Sequence, residues 1–281
     1  MTATSEPVRI PAPGKVGFRL PRRLRSAGSS IGWALVGCAG FLLLWSGIAV
    51  WAPDLPTPGE TWSTFVDLTA NAFLDAGPNE KGVGVQLLIS LQRVFTGFGI
   101  AAVVGIPLGL VVGASKRAGQ AVSPIVQFLR PVSPLAWFPL GLVALKNAPH
   151  AAVFVIFITS LWPTVINTAA GASSVPVDHR NVARVFQFSR MRYLRRVLIP
   201  HTLPSIVTGL RLSMGIAWMV IVAVEMLSGG TGIGFFVWNS YNGANLTAVI
   251  SAIVLIGAVG VALDVLFLKL ANRVALPETT E

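Results

Sequence analysis

The stretch from Val175 to Pro204 reads VPVDHRNVARVFQFSRMRYLRRVLIPHTLP, and it decides the fold because it is a basic loop between two long apolar segments. It carries six arginines against one acid, Asp178. Such a loop does not lie in hydrocarbon, and short loops rich in arginine are retained on the cytoplasmic side of a membrane. The chain is therefore predicted to be a membrane protein whose loop 175–204 faces the cytoplasm.

The first part of this loop is predicted to be a helix. Pro176 suits a first helical turn, and Asp178 complements the positive end of the helix dipole. Spacings of i, i+3, i+4 and i+7 place four residues on one apolar stripe: Val182, Val185, Phe186 and Ser189. The pattern predicts an amphipathic helix over 177–189. Ser189 can also cap a second helix, which is predicted to stop before Pro200.

A basic amphipathic helix beside a membrane has two interpretations. It can lie on anionic lipid headgroups, with its arginines toward the phosphates. Alternatively, it docks into a cytoplasmic partner, which then covers the apolar stripe.

The residues of the loop resemble the coupling loop of permease subunits of binding-protein-dependent ABC importers. That pattern is a Pro, then Glu-Ala-Ala, a Gly four residues later, and a later Leu-Pro. Asn181, Val182 and Gln187 stand where Glu, Ala and Gly are usual. The resemblance implies contact with an ATPase through Pro176, Asn181, Val182, Ala183, Arg184, Val185, Phe186, Gln187, Ser189, Pro200 and Pro204.

Composition independently indicates a membrane protein. The mean hydropathy is +0.71. Hydrophobic residues make up 53% of the chain and charged residues 11%, where a soluble domain has about a quarter charged. The net charge of +10 would suggest nucleic acid as partner of a soluble protein, but here it follows from basic loops kept inside. The single cysteine, Cys38, excludes a disulfide within the chain.

The chain divides into a domain and two tails. Residues 1–29 are polar and basic and are predicted to be a disordered cytoplasmic tail. Residues 30–273 form the transmembrane permease domain, which includes the loop 175–204, and residues 274–281 form a short cytoplasmic tail. The first apolar run, 31–51, is predicted to be a retained anchor, because a cleaved signal peptide has a shorter apolar core.

Six spans with both termini inside account for the loop charges, apart from Lys146 at an outer end. The acidic loop 53–82 and the uncharged loop 228–246 are predicted outside. Predicted spans cover residues 31–51, 83–114, 128–145, 151–171, 205–227 and 247–270, and three prolines break the third. In the second span, Gly97, Gly99, Gly105, Gly109 and Gly113 are predicted to admit a neighbouring helix closely.

Charged residues within the spans are candidates for a substrate path: Arg93, Arg130, Arg211, Glu225 and Asp264. Such charges usually face protein or water rather than lipid. Arg93 and Glu225 lie near the outer face and Arg211 and Asp264 near the inner face, so each couple can pair. A structural pair and a role in an anion path are both open, with Arg93, Arg211 and Glu225 as the path residues.

The sequence carries no catalytic grouping. Its three histidines, His150, His179 and His201, have no second ligand at helical spacing, so no metal site is predicted. No phosphate-binding loop occurs either. If ATP drives transport, the ATPase that uses ATP and Mg²⁺ is another chain, and this chain binds no cofactor.

The resemblance extends over about 33–273. Segments 105–109 and 225–227 resemble the nitrate, sulfonate and taurine permease group. Within that group, segments 129–137, 154–159, 162–163, 181–184 and 232–239 resemble the nitrate-type and bicarbonate-type permeases. This resemblance implies an all-α, type I ABC importer permease fold with a cytoplasmic coupling helix. It also implies a location in the plasma membrane of a prokaryote. The cargo it implies is a small anion, nitrate or nitrite first, with sulfonate, taurine or bicarbonate as alternatives.

The implied partners are a second copy or a paired permease, two cytoplasmic ABC ATPases and an extracytoplasmic substrate-binding protein. Two other classes of membrane protein are alternatives to an ABC permease. An ion-coupled carrier or channel predicts buried acids central in the spans and an internal repeat, and neither is clear in the sequence. A membrane-embedded enzyme would need a nucleophile, a base or a metal cluster, and the sequence shows no plausible one.

Overall fold

A computed structural model describes residues 23–52, 54–75, 77 and 81–274 of the chain. In these ranges the regular structure is helical, apart from one isolated bridge between Asp75 and Lys81. Five helices are long and apolar enough to cross a membrane, and one bent pair of helices brings the count to as many as six. The prediction of an all-α protein with about six membrane spans is confirmed.

The chain divides after Pro58 into two units. The first contains α1, Arg23–Trp51. Trp45, within this helix, donates a hydrogen bond from Nε1 to the carbonyl of Pro56, which follows the helix, at 3.1 Å. The helix begins before the predicted apolar run and includes residues 23–29 of the predicted tail, because helical hydrogen bonding propagates readily once begun. Most of both predicted tails, residues 1–22 and 275–281, lies outside the described residues.

The second unit carries the remaining helices. In chain order they are α2 (Pro58–Ala70), α3 (Val83–Ala114), α4 (Lys116–Leu129), α5 (Trp137–Leu145), α6 (Ala148–Ser173), α7 (Val177–Val185), α8 (Arg190–Tyr193), α9 (Ile199–Ser228), α10 (Ile233–Asn242) and α11 (Leu246–Val274). The long helices α3, α6, α9 and α11 bury the core, with Ile156, Met214 and Ile221 fully enclosed.

Glycines allow α3 and α6 to pack closely. A Cβ added at Gly109 would lie 2.6 Å from the Cβ of Thr168, and one at Gly97 would lie 2.7 Å from the carbonyl of Val153. Gly105 and Gly113 meet α6 in the same way, so the close approach predicted from glycine spacing is confirmed for these four. The prediction is wrong for Gly99. A Cβ added there would have no neighbouring atom within 4 Å, because Gly99 faces away from α6.

Small polar side chains join α6 to α9. The hydroxyls of Thr164 and Ser213 lie 2.8 Å apart, and Ser213 Oγ donates to the carbonyl of Ser160 at 2.8 Å. All three residues are buried. Hydrogen bonds of this kind hold spans together where lipid provides no hydrophobic drive for association.

The third span is a broken one. The helix α4 starts at Lys116, where Ser115 caps it by accepting from the N–H of Ala118, and it bends by 91° before the segment Pro134–Leu145. The predicted spans left residues 115–127 between the second and the third. Lys116–Leu129 is instead helical, so the bend falls midway along Lys116–Leu145. Pro131 and Pro134 account for the break, since neither can donate a helical hydrogen bond.

The chain stays helical through Pro200, contrary to the prediction. A π-helical turn, Leu194–Leu198, joins α8 to α9, and Pro200 lies in the first turn of α9. The wider π turn just before Pro200 relieves the crowding of the proline ring against the preceding carbonyls, so the helix continues without the hydrogen bond that proline cannot donate. Pro204 lies inside α9.

Candidate functional site

The helix α7 is fixed to the end of α6 by its own backbone and side chains. Pro176 is its N-cap residue and Asp178 lies in its first turn. Arg180 donates two hydrogen bonds to the carbonyl of Val175, from Nε at 3.1 Å and from Nη2 at 2.7 Å. Asn181 and Arg184 are exposed on the same helix. The short link between α6 and α7 is therefore held in one conformation.

One face of α7 exposes apolar side chains, which we name the α7 ridge: Val182, Val185 and Phe186. Their exposed fractions are 52%, 78% and 68%. Ala183, by contrast, is only 6% exposed and lines a cavity of about 320 Å³ with Phe188, Val197 and Pro200. Val182 of the α7 ridge also lines this cavity but is half exposed, so Ala183 is covered by the chain itself while most of the α7 ridge is left for another surface to cover.

The helix predicted over 177–189 is shorter than expected. α7 ends at Val185, Phe186 caps it, and Gln187 has φ of 50°, a left-handed conformation that ends a helix. Ser189 is therefore absent from the stripe. Its hydroxyl accepts from the N–H of Arg192 at 3.4 Å and caps α8, as the alternative prediction had it. Gln187 occupies the position at which the resembled pattern has glycine, and the backbone shows why glycine suits it.

A buried ion pair joins α3 to α9. Arg93 Nη1 lies 2.7 Å from Glu225 Oε1, and the two side chains are 11% and 0% exposed. Ser90 Oγ donates to the same carboxylate at 2.7 Å. Arg93 also donates to the carbonyl of Thr231 at 2.6 Å. The predicted pairing is confirmed, and we name Gln86, Ser90, Arg93, Glu225 and Thr231 the Glu225 cluster.

The Glu225 cluster anchors the glycine-rich loop before α10. Gln86 Oε1 accepts from the N–H of Gly232 at 2.6 Å, Ser90 Oγ accepts from that of Ile233, and Glu225 Oε2 accepts from that of Gly234 at 3.1 Å. Gly232 has φ of 123°, and a Cβ there would collide with the Glu225 carboxylate. Arg93 and Glu225 thus both hold this loop as well as each other.

The second predicted pair also forms. Arg211 Nε and Nη2 each donate to Asp264, both at 2.7 Å, and the side chains are 37% and 52% exposed. Arg93 and Arg211 therefore each have a carboxylate partner. The role of Arg93, Arg211 and Glu225 in an anion path stays a prediction, and it now concerns paired rather than free charges.

A groove midway along the bundle contains a different arginine. It has a volume of about 430 Å³, and we name it the Arg130 groove after the charged residue in its wall. The bend between α4 and α5, together with α6 and α9, forms its walls: Arg130, Val132, Pro134, Trp137, Thr159, Trp162, Pro163, Ile166, Asn167, Leu212 and Ile216. The sequence made Arg130 one of five charged candidates for a substrate path, but Arg93, Arg211 and Glu225 were the residues predicted to form it. Pro131 and Pro134, which follow it, were the feature of the sequence that could have indicated a break in the helix at Arg130.

The histidines form no metal site in the part of the chain that the structure describes. No group of three or more potential ligands comes together there. His201 Nε2 lies 3.1 Å from Ser174 Oγ, and its ring meets that of His179 edge to face with centroids 6.4 Å apart.

Comparison with known proteins gives consistent matches. A family model described as the inner membrane component of binding-protein-dependent transport systems matches residues 105–276. The nitrate import permease NrtB of Synechocystis sp. is 48% identical over 211 residues, 75% of this chain and 77% of that protein. The NrtB protein of Leptolyngbya laminosa is 43% identical over 274 residues, 92% of this chain and 97% of that protein.

A bicarbonate transport system permease, CmpB of Synechococcus elongatus, is 44% identical over 234 residues, 82% of this chain and 84% of that protein. Among solved structures, an inward-facing form of the MetNI methionine ABC transporter aligns with a TM-score of 0.61 at 17% identity. The alignment covers 69% of this chain and 96% of that one. The likeness shows that the two chains share a fold.

Proposed function

The chain belongs to the family of binding-protein-dependent transport system inner membrane components, and from this premise we propose that it is the permease subunit of an ATP-driven importer of nitrate or nitrite. Nitrate is the first choice of cargo because NrtB proteins are 43% to 48% identical to it. Bicarbonate is the second candidate, because CmpB proteins reach 44% over a similar length.

The observation that carries the proposal is the α7 ridge. Val182, Val185 and Phe186 are exposed on a loop whose arginines keep it at the membrane surface or in water. Apolar side chains that recur on one helix face are a usual means of docking a helix into a groove of a partner. An ATPase subunit is the partner that the family implies, and it would use the ATP and Mg²⁺ that this chain does not bind.

The proposed assembly has two permease chains, two ATPases and a substrate-binding protein on the opposite side. Loop 175–204 and both chain termini face the cytoplasm, and the two tails, 1–29 and 274–281 in the sequence, lie there. Transport follows from linkage: ATP closes the ATPases, α7 moves with them, and the spans change which side is open. The permease makes no covalent change in the anion.

The test is reconstitution of the chain with its ATPases and binding protein in proteoliposomes. We expect ATP-dependent uptake of isotopically labelled nitrate that stops when the binding protein or ATP is left out. Bicarbonate and taurine are measured in parallel as competitors. Uptake of taurine with no uptake of nitrate would contradict the assignment of cargo, and uptake without any ATPase subunit would contradict the assignment to ABC importers.

A further inference from the structure

We propose that Arg130 is the residue at which the permease binds its anion, in the Arg130 groove, midway across the membrane. The inference rests on the proposed function, because it names the site in the path that the anion takes. The ligand class is a small, planar, oxygen-bearing inorganic anion, of which nitrate and bicarbonate are examples.

The position of the groove is fixed by the helices that line it. Thr159 and Trp162 lie near the middle of α6, which runs from Ala148 to Ser173, and Leu212 and Ile216 lie near the middle of α9. Arg130 sits at the break between the two halves of the third span. Broken helices at mid-depth are a common way to build a substrate site in transporters.

Arg130 differs from the other arginines within the spans in having no partner. Arg93 pairs with Glu225 and Arg211 pairs with Asp264, whereas the Arg130 guanidinium makes no hydrogen bond or ion pair with any described residue. No acid lines the groove among the described residues. Arg130 is exposed in the single chain and faces no acid in the groove, so it gives the groove a positive potential.

The groove also has the donors and walls that such an anion needs. A guanidinium presents parallel N–H groups that match two oxygens of a planar oxyanion, and it stays charged at all relevant pH values. The indole N–H groups of Trp137 and Trp162 have no partner among the described residues, and an indole nitrogen can only donate. The volume of about 430 Å³ exceeds that of one nitrate, so the anion can keep part of its hydration shell.

The experiment restores the charge chemically. Cys38 is the only cysteine in the chain, so an Arg130→Cys variant in a Cys38→Ser background carries one reactive thiol. The reconstituted transporter is treated either with an aminoethyl methanethiosulfonate, which attaches a cation, or with methyl methanethiosulfonate, which attaches a neutral group. Arg117→Cys, in α4, removes a charge outside the groove and is the matched control.

We expect Arg130→Cys to lower nitrate uptake about tenfold or more while the ATPases still copurify, because one charge-assisted contact to the anion is lost. The cationic reagent should recover a large part of the uptake and the neutral reagent should not. The Arg117→Cys control should transport like its parent. Uptake that stays at the parent level in Arg130→Cys, or that recovers equally with the neutral reagent, would overturn the inference.

A second pair of variants covers failure to assemble. Arg130→Met keeps the length of the side chain without its charge, and Arg130→Lys keeps the charge. The inference expects both to assemble and only Arg130→Lys to retain uptake. If neither assembles, Arg130 has a structural or lipid-facing role and the inference is wrong. A parent that takes up no small anion would instead contradict the proposed function.

Discussion

The docking of α7 gives the sharpest prediction. Truncating the α7 ridge with Val185→Ser and Phe186→Ser removes apolar surface that a partner would bury. Full burial of such a side chain contributes roughly 1.5–3 kcal/mol. With 78% of Val185 and 68% of Phe186 exposed and still to be covered, the two changes together remove about 2–4 kcal/mol of binding free energy. That corresponds to a loss of about 30-fold to 900-fold in affinity for the ATPase.

The measurement is copurification of the ATPase with membrane-inserted permease, alongside nitrate uptake. Arg184→Gln is the matched control, because it removes charge from the same helix and leaves the α7 ridge intact. Arg180 is unsuitable for this purpose, since its guanidinium holds the carbonyl of Val175. If the ridge variant binds ATPase like the parent while Arg184→Gln loses it, α7 is held by charge, as the membrane-surface interpretation has it, and the reasoning from burial is refuted.

Three further predictions concern orientation, the buried ion pair and helix packing. A cysteine at Asn181 in a Cys38→Ser background should react with an impermeant reagent only after the cytoplasmic side is opened, and labelling of intact cells would reverse the proposed orientation. Glu225→Gln leaves Arg93 buried without a counter-charge, so thermal unfolding should show a loss of roughly 3–5 kcal/mol; unchanged stability would contradict the structural role. Gly109→Leu should prevent folding and Gly99→Leu should not, as judged by size-exclusion profiles in detergent; equal profiles would contradict the observed α3–α6 contact.

The ion pairs were predictable from sequence and their function was not. A charge within a span needs a partner at the same depth, which sufficed to pair Arg93 with Glu225 and Arg211 with Asp264. The same argument cannot tell a charge that is satisfied by its partner from one available to an anion. The contacts of Arg93 with Thr231 depend on the path of the loop after Glu225, which residue spacing does not specify.

Apolar spacing likewise predicted the stripe on α7 but not what covers each residue. Ala183 stands beside Val182 in sequence, and spacing alone does not tell which of the two faces a partner. In the structure it faces the chain's own cavity, so an Ala183→Asp change would disturb folding before it disturbed docking. Periodicity identifies the face of a helix, but only the position of neighbouring helices separates the chain's interior from a surface open to a partner.

The α7 ridge and the Arg130 groove are connected by the same two helices. α6 carries Thr159 and Trp162 in the groove wall and leads into α7 through a link that the hydrogen bonds to the Val175 carbonyl keep rigid. On the other side of loop 175–204, α9 carries the remaining groove residues, Leu212 and Ile216. Because buried hydroxyls join α6 to α9 near their middles, we expect a partner that displaces α7 to move both groove walls together. If Arg130 binds the anion as proposed, movement of the loop would reach that site through packed helices.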